Sequence, residues 1–207
     1  RAPAEVRETA FPASDGIGDA GGRTLVDYPY LWAGLFHLAQ LPPLERLRFD
    51  PTLRTAADRP WFWRLHLLEV SVAVVDAPAY FYRRSQGQDS LTEAGTDRLL
   101  DILDAMRQVL AAAASSGVAT HRRRAAFTTV RMIALHVSRR GRLSPEQQLR
   151  LVAGAAKLLA EIGSDIDVDV PMDELSTAQE PLVQIAAALG TQARIIVMDE
   201  PTSSLSV

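Results

Sequence analysis

Cysteine is absent from this 207-residue sequence, which excludes disulfides and thiolate-held metals and fits a reducing compartment such as the cytoplasm. Lysine is almost absent, with Lys157 the single copy. A phosphate-binding loop of the form Gly-x-x-x-x-Gly-Lys-Ser/Thr needs a lysine that reaches the terminal phosphates of a nucleotide. Lys157 follows Ala155 and Ala156 and precedes Leu158, so these residues hold no such loop. No apolar run reaches the ~18 residues needed to cross a bilayer, and direct membrane insertion is not expected. No basic head followed by an apolar stretch marks a signal peptide. An excess of either charge is also missing. With 22 basic and 25 acidic residues the net charge is −3, which predicts no broad attraction to nucleic acid or membrane surfaces. The chain starts at Arg1 and stops at Val207 directly after a motif, so both ends look cut.

Residues 1–24 are rich in Ala, Gly, Asp and Pro without a period and read as an irregular segment. From Leu25 to Gln40, Tyr28, Tyr30, Trp32 and Phe36 spread through an expected short helix, broken by Leu41-Pro42-Pro43. Phe49 to Thr55 reads as a turn or short strand. A helix follows from Trp61 to Leu68, with Pro60 suited to its first turn. The β-branched run Val70–Val75 suits a buried strand, and Ala79–Arg84 a second one after the turn Asp76-Ala77-Pro78. Beyond Thr92 the period turns helical, with Leu99, Leu100, Leu103, Met106 and Leu110 on one face and a further stripe from Phe127 to Val137. Ser144-Pro145-Glu146-Gln147 is a capped helix start, and Gly163 ends that helix. The arginines at 122–124 and at 139, 140 and 142 read as solvated helix faces, with no nucleic-acid role.

The C-terminal residues carry the sharpest pattern. Ser176 and Gln179 form a capping box, so a helix should begin there with free backbone N–H groups suited to a phosphate. It runs to Gly190. Arg194–Met198 then reads as a strand buried in a parallel sheet, which delivers Asp199 and Glu200 to its C-terminal end. Two adjacent acids there suit one metal-binding carboxylate and one base that aligns a water. Asp165, Asp167 and Asp169 lack the glycine and glutamate of a calcium loop and read as a solvated acidic loop.

Leu175-Ser176-Thr177-Ala178-Gln179, then Asp199-Glu200, then Pro201-Thr202-Ser203-Ser204-Leu205-Ser206 resemble the signature, Walker B and D-loop of ABC transporter ATPases, in the form used by ribose- and xylose-type importers. The resemblance implies ATP and Mg²⁺ as cofactors. It places Ser176 on the ATP γ-phosphate across a dimer, with Thr177, Ala178 and Gln179 completing the signature. Asp199 would hold magnesium through water, and Glu200 would be the catalytic glutamate. It also implies a partner ABC subunit or membrane permease, and a cytoplasmic location at the inner face of the membrane. Thr177-Ala178 departs from the usual glycine pair. Pro181 removes the N–H that would bond to the Thr177 carbonyl and should loosen the signature helix.

A second constellation lies upstream. Thr55-Ala56-Ala57-Asp58-Arg59-Pro60-Trp61-Phe62-Trp63 sets one acid beside dense aromatics, which stack on sugars, while the acid can take a proton from a hydroxyl. Tyr80-Phe81-Tyr82-Arg83-Arg84 leads into Ser90-Leu91-Thr92, and Arg83 with Arg84 suits a diphosphate. Together these resemble the C-terminal half of actinobacterial family 2 glycosyltransferases. That resemblance implies Asp58 as the catalytic base and a nucleotide-sugar donor. Ala57 stands where that family has glutamate.

The expected architecture is α/β and helix-rich, with an irregular segment 1–24 and a glycosyltransferase-like α/β region with a helical extension at 25–143. A junction helix at 144–162 leads to a partial ABC-ATPase helix–strand unit at 163–207. The chain reads as a composite that is not catalytic alone, with a glycosyltransferase fragment or a partner supplying a signature face in trans as the alternatives.

Overall fold

The computed structural model describes residues 8–19, 23–41, 47–76, 97–138 and 143–162. The signature and Walker B residues Ser176, Thr177, Ala178, Gln179, Asp199 and Glu200 lie outside the described residues, as do Arg83, Arg84 and the strand expected over Ala79–Arg84. The described part is helix-rich, as expected. It is built on four α-helices, α1 Asp58–His66, α2 Asp101–Ser115, α3 Ala119–Ser138 and α4 Pro145–Ile162.

Helix α2 packs against each of the other three. Its buried face is Ile102, Met106, Val109 and Ala113, extended backward by Leu99, a 3–4 spacing that keeps one stripe inward. The face lies one step round from Leu100, Leu103 and Leu110, which pack at its flank. Burying side chains such as Ile102 or Met106 contributes about 2 kcal/mol each before entropy is counted. Gly117 ends α2 with φ at +70° and donates its N–H to the Ala114 carbonyl at 3.1 Å, a left-handed cap that a β-carbon would strain.

The capping box read at the start of α4 is formed. The Ser144 N–H donates to Gln147 Oε1 at 3.0 Å, and the Gln147 N–H donates to Ser144 Oγ at 3.2 Å. Leu151, Ala155 and Leu158 face the same core as α2 and α3. Gly154 lets α4 close on α2, because a β-carbon there would collide with Leu103 Cδ1. The junction helix is therefore part of the helical core.

Three expectations fail in the first 76 residues. Residues 25–40 form three separate 3₁₀ turns, Leu25–Asp27, Leu31–Ala33 and Leu38–Gln40, and no continuous helix. Pro29 interrupts the first pair, and Gly34 ends the second turn in extended backbone. The run Val70–Val75 is no buried strand. Ser71–Val72 forms the ladder, antiparallel to Phe11–Pro12, flanked by bonds from the Ala13 N–H to Val70 and the Glu8 N–H to Val74, and Val75 is exposed. The N-terminal segment, expected to be irregular, thus supplies the strand partner (β1 Phe11–Pro12, β2 Ser71–Val72). It also buries Ala13 and Ile17 in the core. A short apolar run with one paired edge cannot reveal from sequence which distant segment covers it.

Candidate functional site

Asp58 is the one candidate site residue within the described structure, and it opens α1. The loop before it is pinned to α2 at two points and to the 3₁₀ turn Asp97–Leu100 at a third. Asp50 accepts the Thr52 N–H at 2.9 Å and the Thr52 hydroxyl at 2.6 Å, and Gln108 Nε2 donates to its other oxygen at 2.6 Å. These bonds hold the Asp50 carboxyl below its ordinary range. Arg54 then grips Asp101 with its backbone N–H at 2.8 Å and its guanidinium at 3.0 and 2.7 Å. The Thr55 hydroxyl donates to the Arg98 carbonyl at 2.6 Å. Between these anchors and α1, Ala56 sits at φ +59°, a left-handed conformation that costs about 1–2 kcal/mol for a residue with a β-carbon. The clamps hold that turn and fix where Asp58 stands.

Asp58 is half-buried at the head of α1, where the Arg59 N–H donates to the Ala56 carbonyl at 3.1 Å. Burial pushes its carboxyl up, against the opposing pull of the Arg59 charge and of nearby backbone N–H groups. A raised carboxyl is the property of a group poised to exchange a proton.

The aromatics beside Asp58 do not form a sugar platform. Trp63 is in the main core, and Trp61 is buried in a second cluster with Leu47 and Leu65. Trp61 stacks on Phe49 with ring centres 5.6 Å apart, meets Phe36 edge-on and donates its indole N–H to the Leu47 carbonyl. Alternation along one turn of helix sends the two tryptophans into different cores. Among the described residues the exposed rings are Tyr30 and Trp32, in contact at 5.2 Å, and Phe49, whose inner face stacks on Trp61.

A polar cluster that the sequence did not reveal lies close by. Arg124, expected on a solvated face, is fully buried, and its guanidinium pairs with the buried Asp27. It also donates to the Asp19 carbonyl at 2.9 Å and lies over the Phe127 ring at 5.3 Å. Arg131, two turns along α3, reaches the other oxygen of Asp27 at 2.9 Å, and the Thr24 N–H adds a bond at 2.9 Å. Arg59 sits within the field of Asp58, Arg131, Asp27 and Tyr30, and burial pushes its guanidinium down from the ordinary range. Arg122 to Arg124 are chemically alike in sequence, and only the placement of Asp19 and Asp27 selects Arg124. Among the described residues no group of three or more His, Asp or Glu could hold a metal ion, and no helix is long and apolar enough to cross a membrane.

Several curated proteins resemble part of the chain. A ribose import ATP-binding protein, RbsA 1, of Burkholderia thailandensis is 40% identical over 67 residues, 32% of this chain and 13% of that protein. Ribose import ATP-binding protein RbsA 1 of Rhizobium meliloti is 35% identical over 117 residues, 55% of this chain and 23% of the relative. Ribose import ATP-binding protein RbsA of Hahella chejuensis is 46% identical over 54 residues, 26% and 11% respectively. The chain thus spans between 11% and 23% of the length of these relatives. No family model and no solved structure matches. Part of the chain is therefore similar to the ATP-binding subunits of sugar importers, and none of these relatives is a glycosyltransferase. A match over 55% of the chain necessarily takes in its middle, so that similarity includes part of α2.

Proposed function

We propose that the C-terminal part of this chain is the signature and Walker B segment of a ribose-type sugar-import ATPase, and that it presents a signature face to an ATP site whose phosphate-binding loop lies elsewhere. The ordered run Ser176 to Gln179, Asp199-Glu200 and Ser203 to Ser206 carries the reading, supported by the similarity to ribose import ATP-binding proteins. In this reading Ser176 donates to a γ-phosphate across a subunit boundary, with the free N–H groups of its helix end adding to the pull. Asp199 offers the carboxylate oxygens that suit magnesium, held through water. Bound there, magnesium would neutralise phosphate charge. Glu200 orients the attacking water. The expected setting is cytoplasmic, on the inner face of the membrane against a permease.

Two measurements test it. Calorimetry of the full chain with ATP should give a Kd no tighter than about 1 mM, because the charge that reaches the terminal phosphates is missing. Micromolar binding lost in Asp199→Ala would overturn the reading. A ribose-type ATP-binding subunit with its own signature serine replaced should regain ATP hydrolysis on addition of this chain, and not with Ser176→Arg.

A second reading is favoured by one observation, the half-buried Asp58 carboxyl pushed up at the head of α1. Asp58 would then be the acceptor base of a glycosyltransferase fragment that takes its sugar from a nucleotide-sugar donor, with Arg83 and Arg84 on the diphosphate. Ala57, in place of that family's glutamate, counts against it.

A further inference from the structure

His66 is the last residue of α1 and takes no part in the candidate site. Its ring is shut in, at 1% exposed. Nδ1 lies 2.9 Å from the Phe62 carbonyl, one turn back. A carbonyl oxygen only accepts, so the proton of the neutral ring sits on Nδ1. Nε2 then carries a lone pair, and it is buried with no hydrogen-bond partner.

The 3₁₀ turn Ala13–Gly16 covers that nitrogen. A β-carbon built on Gly16 would stand 3.2 Å from Nε2, 3.0 Å from Cδ2 of the ring and 2.9 Å from Leu25 Cδ1. Glycine thus lets the backbone of the turn lie against the ring edge, with the Leu25 methyl beside it. Ala13 and Ile17, which bracket the turn, are buried. The Ala13 N–H donates to the Val70 carbonyl at 2.9 Å, and the Ile17 N–H to the Ser14 carbonyl at 3.0 Å.

Among the described residues no charge is placed to favour a proton on Nε2. Helix α1 packs against that turn, the 25–27 turn and α2. Their charged groups are Asp15, which is exposed, and Asp27, held by Arg124 and Arg131. On α2 they are Asp101, held by Arg54, and the pair Asp104 and Arg107. Helix α1 itself adds Asp58, Arg59 and Arg64, whose guanidinium donates to the Arg48 carbonyl. None of these sets the basicity of His66, which burial lowers against the pull of the Phe62 carbonyl. A proton on Nε2 would leave a cation and an N–H donor against Gly16 and Leu25, with neither an acceptor nor water.

We propose that His66 is an acid-sensitive latch, on which the turn Ala13–Gly16 closes while the ring is neutral and from which it lifts when Nε2 takes a proton. Lifting gives the new N–H water as its acceptor and exposes Ala13, Ile17 and the ring edge, while α2, α3 and α4 stay packed. The latch is independent of Ser176 and Asp199, so it stands or falls separately from the ATPase reading.

Amide hydrogen exchange of the full chain tests it. An open state with the ordinary histidine pKa of ~6.5 gains on the closed one by up to about tenfold between pH 7.5 and pH 5.5. Exchange at Ala13 and Ile17, corrected for its intrinsic dependence on pH, should accelerate severalfold over that interval. It should also exceed exchange at Val109, in the middle of α2, at both pH values, and should respond little to dilute urea because little surface opens. His66→Gln, which cannot titrate, should remove the acceleration. An acceleration below about twofold, or one that survives His66→Gln, overturns the proposal. So does protection at Ile17 equal to that at Val109, because the turn would then open only when the whole chain unfolds. If His66→Gln does not fold, the ring nitrogens of the unaltered chain decide. Their NMR shifts in the closed state should be those of a neutral Nδ1–H imidazole at pH 5.5, and a cationic ring beneath a protected Ile17 amide refutes the latch.

Discussion

Asp27 and Asp101 perform the same task with arginine partners at opposite depths. Each holds an arginine from a distant part of the chain and thereby ties a loop to the helical core. The Asp101–Arg54 pair joins the loop before α1 to the start of α2, with Arg54 half in solvent. The Asp27 pairs join the 25–27 turn to α3, with Arg124 wholly removed from water. In high dielectric an ion pair gains little, because water solvates the separated charges almost as well. In the interior, attraction and desolvation are both large, and the danger lies in leaving one partner alone. The exposed clamp therefore steers a loop, while breaking the buried one leaves an uncompensated charge in the core.

Substitutions at the two aspartates should show that difference, and the largest effect is expected at Asp27. Asp27→Ala strands Arg124 in the core and should cost about 3–5 kcal/mol, read by urea denaturation. A loss below about 1 kcal/mol would mean that the two pairs do not differ in kind. Apolar packing gives the scale between them. Met106→Ala removes a fully buried side chain from α2 and should cost about 2–5 kcal/mol with unchanged helix content. Asp101→Ala should cost about 1 kcal/mol or less, and should loosen residues 50–57, seen as faster amide exchange at Arg54, whose N–H the carboxylate accepts.

The smallest effects come from pH and sharpen the same contrast of depth. Burial lowers the basicity of His66, whose Nδ1 lies 2.9 Å from the Phe62 carbonyl. The unfolded chain therefore binds a proton first, and stability should fall as pH drops below ~6.5. Asp58 works in the other direction. Its folded carboxyl is raised, so its contribution is favourable at acid pH and is lost as pH climbs above ~3.9 through the raised value. Asp58→Asn should therefore stabilise the chain at pH 7, by about 1 kcal/mol or less, and change little at pH 3. Parallel unfolding curves at the two pH values check this. A loss of stability at pH 7 would show that the carboxylate is chiefly a helix cap.

Local rules made several elements legible. Proline, serine and glutamine at 144–147 announced the start of α4, and leucine spacing announced α2, because capping and amphipathic period act within a few residues of chain. The resemblance of Ser176 to Ser206 to ABC-type motifs was legible for a related reason, since it lies in residue types at short fixed spacings. Length and composition also excluded thiolate metals and a lysine-bearing phosphate loop without any structure.

Other features depended on which distant segments meet. Nothing in Arg122-Arg123-Arg124 distinguishes the buried arginine from its neighbours until Asp27, almost a hundred residues away, is brought against α3. Trp61 and Trp63 stand in one dense aromatic stretch and entered two cores, because a two-residue step on a helix turns a side chain by roughly 200°. Phe11–Pro12 gave no strand signal, yet covers Ser71–Val72. Sequence determined the local elements, since caps and periodicity are short-range. Tertiary structure alone decided which charges lost their water, because desolvation belongs to the whole packed environment of a group.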